Sequence, residues 1–283
     1  MMPSSPEPHH PVTARKAAVL ALVAESQFLA THQAAALLGI TAKGARDHLL
    51  DLRRHGLLES ERTYGPDMGL DAPFGPMVHW VTPAGRRFLR RRGMLPEGAG
   101  REPSYGPRSK GFVGHEAAVR DLLVWLTVSA RTLSAEGHAV AQWSVGQGIA
   151  FGAARPDAAF VYRVAGEPRP ASVVGVLECD MGTQTAADGG RSDRWAQKLK
   201  AYGEAYAAAE RTGDRAAHAR LVVTVGTAAR AEWVVGRLRE SGAVARRAWV
   251  AVRGDLGGDG GWTGVRDAVW LRPDGTRAAF APG

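Results

Sequence analysis

The sequence predicts an α/β protein in two domains: an N-terminal winged helix-turn-helix, then an α-β-β-β-α-β domain around a mixed central sheet. Three observations predict it. Residues 13–92 carry three short helical patterns, two strand patterns and a closing helix. A Gly/Pro-rich stretch, 93–112, interrupts the periodicity and reads as a linker. Residues 113–253 then alternate long helical patterns with apolar strand runs. At 283 residues, the chain is long enough for two such cores.

The elements follow in order. Residues 1–12 are rich in Pro, Ser and His and read as a disordered N-terminus. Thr13 is a suitable N-cap for a helix on which Ala17, Leu20 and Val23 recur. Phe28 and Leu29 pack the turn before a second helix, Thr31 to Leu38, which Gly39 closes. Thr41 caps a third helix reaching about His55. Ala42, Ala45, Leu49 and Leu52 share one side of it, opposite Lys43, Asp47, Asp51 and Arg54. Leu57–Arg62 and Met77–Thr82 read as a hairpin, and Pro83–Arg92 as a closing helix with five arginines. This is the winged helix-turn-helix plan.

Past the linker, a helix is expected from about Gly114 to Gly137. Strands follow at His138–Val145, Ala158–Arg163 and Ser172–Asp180, then a helix from about Asp188 to Arg211. A strand at Ala219–Gly226, a helix at Ala228–Ser241 and a strand at Ala248–Arg253 complete the domain. Residues 254–283 read as a Gly-rich extension with one further strand, Ala268–Leu271.

A formal net charge of +8 and a pI of about 10.1 point to a polyanionic partner. The basic excess is denser before residue 110, and Arg outnumbers Lys, which suits bidentate contacts to phosphate or guanine. The single cysteine, Cys179, rules out an intramolecular disulfide, and no Cys/His spacing suits a zinc finger. No apolar run is long enough for a transmembrane helix and no secretory signal is visible. A cytoplasmic, nucleoid- or plasmid-associated location without membrane contact is therefore expected.

On the third helix, Thr41, Lys43, Arg46 and Asp47 stand at the end that would enter a major groove, where short polar side chains reach base edges. Arg53, Arg54 and Arg62 suit phosphate contacts, which position without reading sequence. The bland alternative is a winged helix that docks protein.

The second half carries an acidic constellation. Asp157 follows Pro156 at the start of a strand, and Glu178 and Asp180 end another, two apart and therefore on one face. On the next helix Trp195, Leu199, Tyr202 and Tyr206 form the inward stripe. Lys198 flanks that stripe and leans toward the carboxylates, whereas Lys200 points away. Cys179 faces the opposite side of its strand as a small buried residue. Glu178 has few structural excuses, but the others have a plain reading as well: Asp157 and Asp180 as turn caps, Lys198 as a snorkelling side chain.

With Pro156-Asp157, Glu178-x-Asp180, Gly182-Thr183 and Lys198-x-x-x-Tyr202 in this order after a winged helix and His115, the chain resembles the PD-(D/E)XK nuclease superfamily. More narrowly, it is similar to the plasmid replication-relaxation family of actinobacteria. The resemblance implies a restriction-endonuclease-like fold, with Asp157, Glu178 and Asp180 as ligands of Mg2+ or Mn2+ and Lys198 completing the catalytic set. Asp180 stands where the superfamily places lysine; Lys198 would supply that charge from the helix, or the site has lost hydrolysis. Glu116 beside His115 is a weaker candidate acid. The implied partners are double-stranded DNA, plasmid replication or transfer proteins, and a second copy of the chain in a homodimer.

Three functions compete: a metal-dependent DNA nickase or nuclease, a non-catalytic DNA-binding replication or transfer factor or repressor, and, more distantly, a ligand-sensing transcription factor. A tyrosine relaxase is disfavoured, because no paired histidines with metal-ligand spacing accompany a candidate tyrosine.

Overall fold

The computed structural model describes residues 12–62, 76–95, 110–145, 149–165, 171–182, 194–258, 261–262 and 264–280. The N-terminal stretch to Pro11, the linker over 96–109, the loop 63–75 between the hairpin strands, and Thr183 lie outside them. The chain divides into two compact units, with the boundary between Ala117 and Ala118.

The first unit contains α1 (Ala14–Glu25), β1 (Phe28–Ala30), α2 (Thr31–Leu38), α3 (Ala42–Arg54), β2 (Leu58–Arg62), β3 (Met77–Val81) and α4 (Pro83–Arg91). Threonines set three of the starts: Thr13, Thr41 and Thr82 each accept a hydrogen bond from an N–H in the first turn they precede. Gly39 ends α2 with φ +62°, a conformation glycine adopts without steric cost. At Gly85 the constraint is space, since a Cβ would stand 2.3 Å from the Leu57 carbonyl oxygen.

One expectation for this unit changes. Phe28 and Leu29 do more than pack a turn: Phe28–Ala30 pairs antiparallel with β3, giving the sheet order β1-β3-β2. Three residues are too few to show a strand period, and the partner lies some fifty residues away in sequence. Val19, Leu20, Val23, Leu29, Leu49, Leu52, Leu58 and Leu89 form the core beneath. The order of elements in this unit is α1-β1-α2-α3-β2-β3-α4.

The second unit is built on α5 (Lys110–Thr132), which begins a turn earlier than expected and spans the unit boundary. Then come β4 (His138–Val145), β5 (Ala158–Val164), β6 (Ala171–Asp180), α6 (Arg194–Thr212), β7 (Arg220–Val225), α7 (Ala228–Arg239) and β8 (Ala248–Val252). A short α8 (Arg253–Leu256), a ribbon of β9 (Gly257–Gly258) with β10 (Gly261–Trp262), and β11 (Trp270–Leu271) with β12 (Arg277–Ala278) follow.

Among the described residues the sheet has seven strands in the order β12-β11-β8-β7-β6-β5-β4. Strands β4, β5 and β6 pair antiparallel, whereas β6, β7 and β8 are parallel and linked through α6 and α7. The sheet is therefore mixed, as expected. Its two faces bury separate cores. One packs Leu122, Trp125 and Leu126 of α5 against Phe160, Leu177, Cys179 and Val222. The other packs Trp195, Tyr202 and Tyr206 of α6 and Val234 and Leu238 of α7 against Val176, Leu221, Val223 and Val250.

The stretch after residue 253, expected to be an extension, belongs to this body. Its β11 pairs with β8, and Trp270 and Phe280 are fully buried in the α5-side core. Gly-rich composition concealed this, because isolated aromatic residues carry no period.

Candidate functional site

In the first unit, α3 divides its residues as an amphipathic helix should. Ala45, Leu49 and Leu52 are buried, whereas Thr41, Lys43, Arg46, Asp47, Arg53 and Arg54 are exposed, as is Arg62 on β2. Ala42, expected on the buried side, is exposed, and Asp51, expected opposite it, is half-buried in an ion pair with Lys16 at 2.5 Å. The Lys16 hydrogen bond holds the Asp51 carboxyl below its ordinary range. Among the described residues, no ion pair engages Lys43, Arg46, Arg53 or Arg54. His79 fixes the sheet beside this helix: its ring nitrogens contact Thr31 Oγ1 at 2.9 Å and Ser60 Oγ at 2.7 Å.

In the second unit, the acids gather where β6 leaves the core. Strand alternation sends Leu177 and Cys179 to the α5-side core and leaves Val176, Glu178 and Asp180 on the face of α6 and α7. Cys179 is thus a buried core residue, and burial pushes its thiol up to about 12. Asp157 extends the pairing of β5 with β6. Its N–H donates to the Leu177 carbonyl at 2.8 Å, and its Oδ2 accepts from the Cys179 N–H at 2.8 Å.

Glu178 is almost fully buried and takes two donors from α6. Tyr202 gives its hydroxyl proton to Oε1 at 2.7 Å, and the Lys198 ammonium pairs with Oε2. Residues 198 and 202 are four apart, so one helix face delivers both. Burial raises the Glu178 pKa and nearby Asp157 adds to it, while Lys198 and Tyr202 oppose the shift. Burial alone would lower Lys198, but Glu178, Asp157 and Asp180 hold it above its ordinary value. The Tyr202 hydroxyl is raised by burial and by Glu178.

Asp180 behaves differently. Its Oδ1 accepts from the Gly182 N–H at 2.8 Å, and its Oδ2 accepts from Trp195 Nε1 at 3.1 Å and Arg230 Nε at 2.8 Å. Arg230 lies over the Trp233 ring at 3.9 Å, and Arg253 donates to the Asp180 carbonyl at 3.2 Å. Asp157, Glu178 and Lys198 are therefore brought within electrostatic reach of one another, while Asp180, which also acts on Lys198, takes its hydrogen bonds from Gly182, Trp195 and Arg230.

Among the described residues, no group of three or more His, Cys, Asp and Glu side chains could hold a metal ion. The Mg2+ or Mn2+ implied by the resemblance does not fit this donor set, because Lys198, Tyr202, Trp195 and Arg230 already occupy Glu178 and Asp180. Glu116 and His115 lie in the first unit, whereas the acids belong to the second.

Arg230 and Arg253 escaped the sequence reading. The available signal was topological: Asp180, Val225 and Val252 end adjacent parallel strands, and residues just beyond such ends share one rim of a sheet.

A family model described as replication-relaxation matches residues 20–222, more than half of the chain. The chain belongs to the replication-relaxation family. The match takes in both the exposed face of α3 and the acids of β6. No curated protein sequence matches this family member. Among solved structures, the restriction endonuclease FokI aligns at 10% identity with a TM-score of 0.27. That alignment covers 84% of this chain and 42% of FokI, so the chain spans about two fifths of that protein's length; a likeness this slight carries no argument. Among the described residues, no helix is long and apolar enough to cross a membrane.

Proposed function

We propose that this replication-relaxation protein binds double-stranded DNA, acting on plasmid or mobile-element DNA as a replication or transfer factor. The observation that carries the reading is the division of α3. Three apolar residues seat the helix, and a row of exposed cations that make no ion pair among the described residues remains for a polyanion. Thr41, Lys43, Arg46 and Asp47 would face base edges, and Arg53, Arg54 and Arg62 would meet phosphates.

The family description supports a plasmid setting, and the net charge of +8 supports a nucleic-acid partner. Plasmid replication or transfer proteins and a second copy of the chain are the partners such a role would involve. For the α/β unit we favour a non-hydrolytic role, since its acids are spent on internal donors.

Two measurements test the reading. Anisotropy titrations on duplex DNA should show binding whose logarithm falls steeply with log salt. Arg46→Ala should weaken it and alter sequence preference, and Arg54→Ala should weaken it evenly across sequences. Unaltered binding in both variants would remove α3 as the DNA-reading element. Incubating supercoiled plasmid with Mg2+ or Mn2+ should leave it supercoiled. Open circles that vanish in Asp157→Ala and Glu178→Ala would instead establish a nickase built on Asp157, Glu178 and Lys198.

A further inference from the structure

We infer that Lys198 on Glu178 and Arg230 on Asp180 take the place of a divalent ion at the end of β6, so that the carboxylates there are neutralised by the chain itself. Asp157, Glu178 and Asp180 present six carboxylate oxygens, and five of them accept named donors. Asp157 Oδ2 takes the Cys179 N–H, Glu178 Oε1 takes Tyr202 and Oε2 takes Lys198. Asp180 Oδ1 takes the Gly182 N–H, and its Oδ2 takes Trp195 and Arg230.

Charge leads to the same conclusion as geometry. A hard divalent ion settles where carboxylates leave net negative charge and oxygens that face one point. Here two cations already stand against Glu178 and Asp180, and a third, Arg253, bonds the Asp180 carbonyl. Adding two further positive charges would load a largely buried cluster with excess charge of one sign, which low dielectric penalises heavily.

Lys198 is the removable member. Its side chain is 39% exposed, against 2% for Glu178 and 14% for Arg230, so it closes the cluster from the solvent side. Without its ammonium, Glu178 would keep the Tyr202 hydroxyl but lose its cation, which leaves net negative charge beside Asp157 for a Mg2+ or Mn2+ ion.

The inference is independent of DNA binding, and its test reads metal uptake alone. Mn2+ would be titrated into the full chain and followed by the EPR signal of the free ion, for wild type, Glu178→Gln, Lys198→Ala and the double variant. Wild type should take up no more Mn2+ than Glu178→Gln does. Lys198→Ala should gain one site at least tenfold tighter than any in the wild type, and the added Glu178→Gln change should abolish it. Lys198→Arg, which keeps the charge, should stay metal-free. A wild-type site that disappears in Glu178→Gln overturns the inference, as does a folded Lys198→Ala protein with no gain. Should the alanine variant fail to fold, Lys198→Gln, which keeps most of the volume, is held to the same two outcomes.

Discussion

The exposed face of α3 and the rim at the end of β6 use the same residue types to opposite ends. On α3, Lys43, Arg46, Arg53 and Arg54 stand in solvent and make no ion pair among the described residues, while apolar side chains and the Asp51–Lys16 pair seat the helix. At the β6 rim, Lys198 and Arg230 are turned inward onto carboxylates that are themselves buried. Charge held in water costs the fold little and remains available to a polyanion. Charge taken out of water must be matched at once, and once matched it stabilises the fold instead of recruiting a ligand. Exposure of the acid therefore separates the two uses better than the count of cations does.

The largest way to break this contrast is to remove the acid that serves most donors. Asp180→Ala strands the Arg230 guanidinium, which is 14% exposed, and frees the Trp195 indole N–H. We expect a loss of about 3–5 kcal/mol, measured by urea unfolding at neutral pH. A loss below about 1 kcal/mol would mean that the rim is not a matched network.

The first unit has its own buried ionisable group, His79, and acid tests it. Burial first, and then the positive field of Arg53, lower its pKa from 6.5 to about 4. The folded value lies below the unfolded one, so the unfolded chain takes up the proton first as the pH falls. The stabilisation from a neutral His79 is full above pH 6.5 and is lost between pH 6.5 and 4, an effect of about 3 kcal/mol. Unfolding curves of the wild type and His79→Gln across that window should converge toward pH 4. Parallel curves would discard the assignment.

At the rim, Tyr202→Phe removes one hydrogen bond to a carboxylate and keeps the ring among Phe151 and its neighbours. A smaller loss of about 2 kcal/mol is expected, read by the same urea titration. Stability equal to wild type would make Tyr202 a packing residue only.

The sequence made these regions legible to different depths, for physical reasons. Helical period seats α3 correctly, because Ala45, Leu49 and Leu52 repeat within one short segment. Strand alternation puts Glu178 opposite Cys179, and the wheel of α6 turns Lys198 toward the carboxylates. Each of these rests on a local rule. The fate of Asp180 does not: its partners Arg230 and Arg253 lie fifty and seventy-three residues away, and only the parallel order of β6, β7 and β8 brings them to one rim. Two carboxylates on one strand face share a direction, but the donors around them decide whether they share a ligand. The same limit hid β1, whose pairing with β3 is long-range, and the burial of Trp270 and Phe280 beyond the expected end of the domain.

The smallest expected effect on stability is the sharpest test of the contrast. Arg54→Ala removes an exposed cation in the last turn of α3, where it has only the favourable end of the helix dipole and a solvent-screened attraction to Asp51 to lose. Its stability should change by no more than about 0.5 kcal/mol. Its DNA affinity should fall nonetheless, and the slope of log affinity against log salt should shrink by about 1, the signature of one lost phosphate contact. Arg230→Ala should reverse the pattern, with a clear loss of stability in urea and an unchanged salt slope for the folded protein. If Arg54→Ala destabilised the fold, or Arg230→Ala altered the slope, exposure of the paired acid would no longer distinguish cations that bind DNA from cations that hold the chain together.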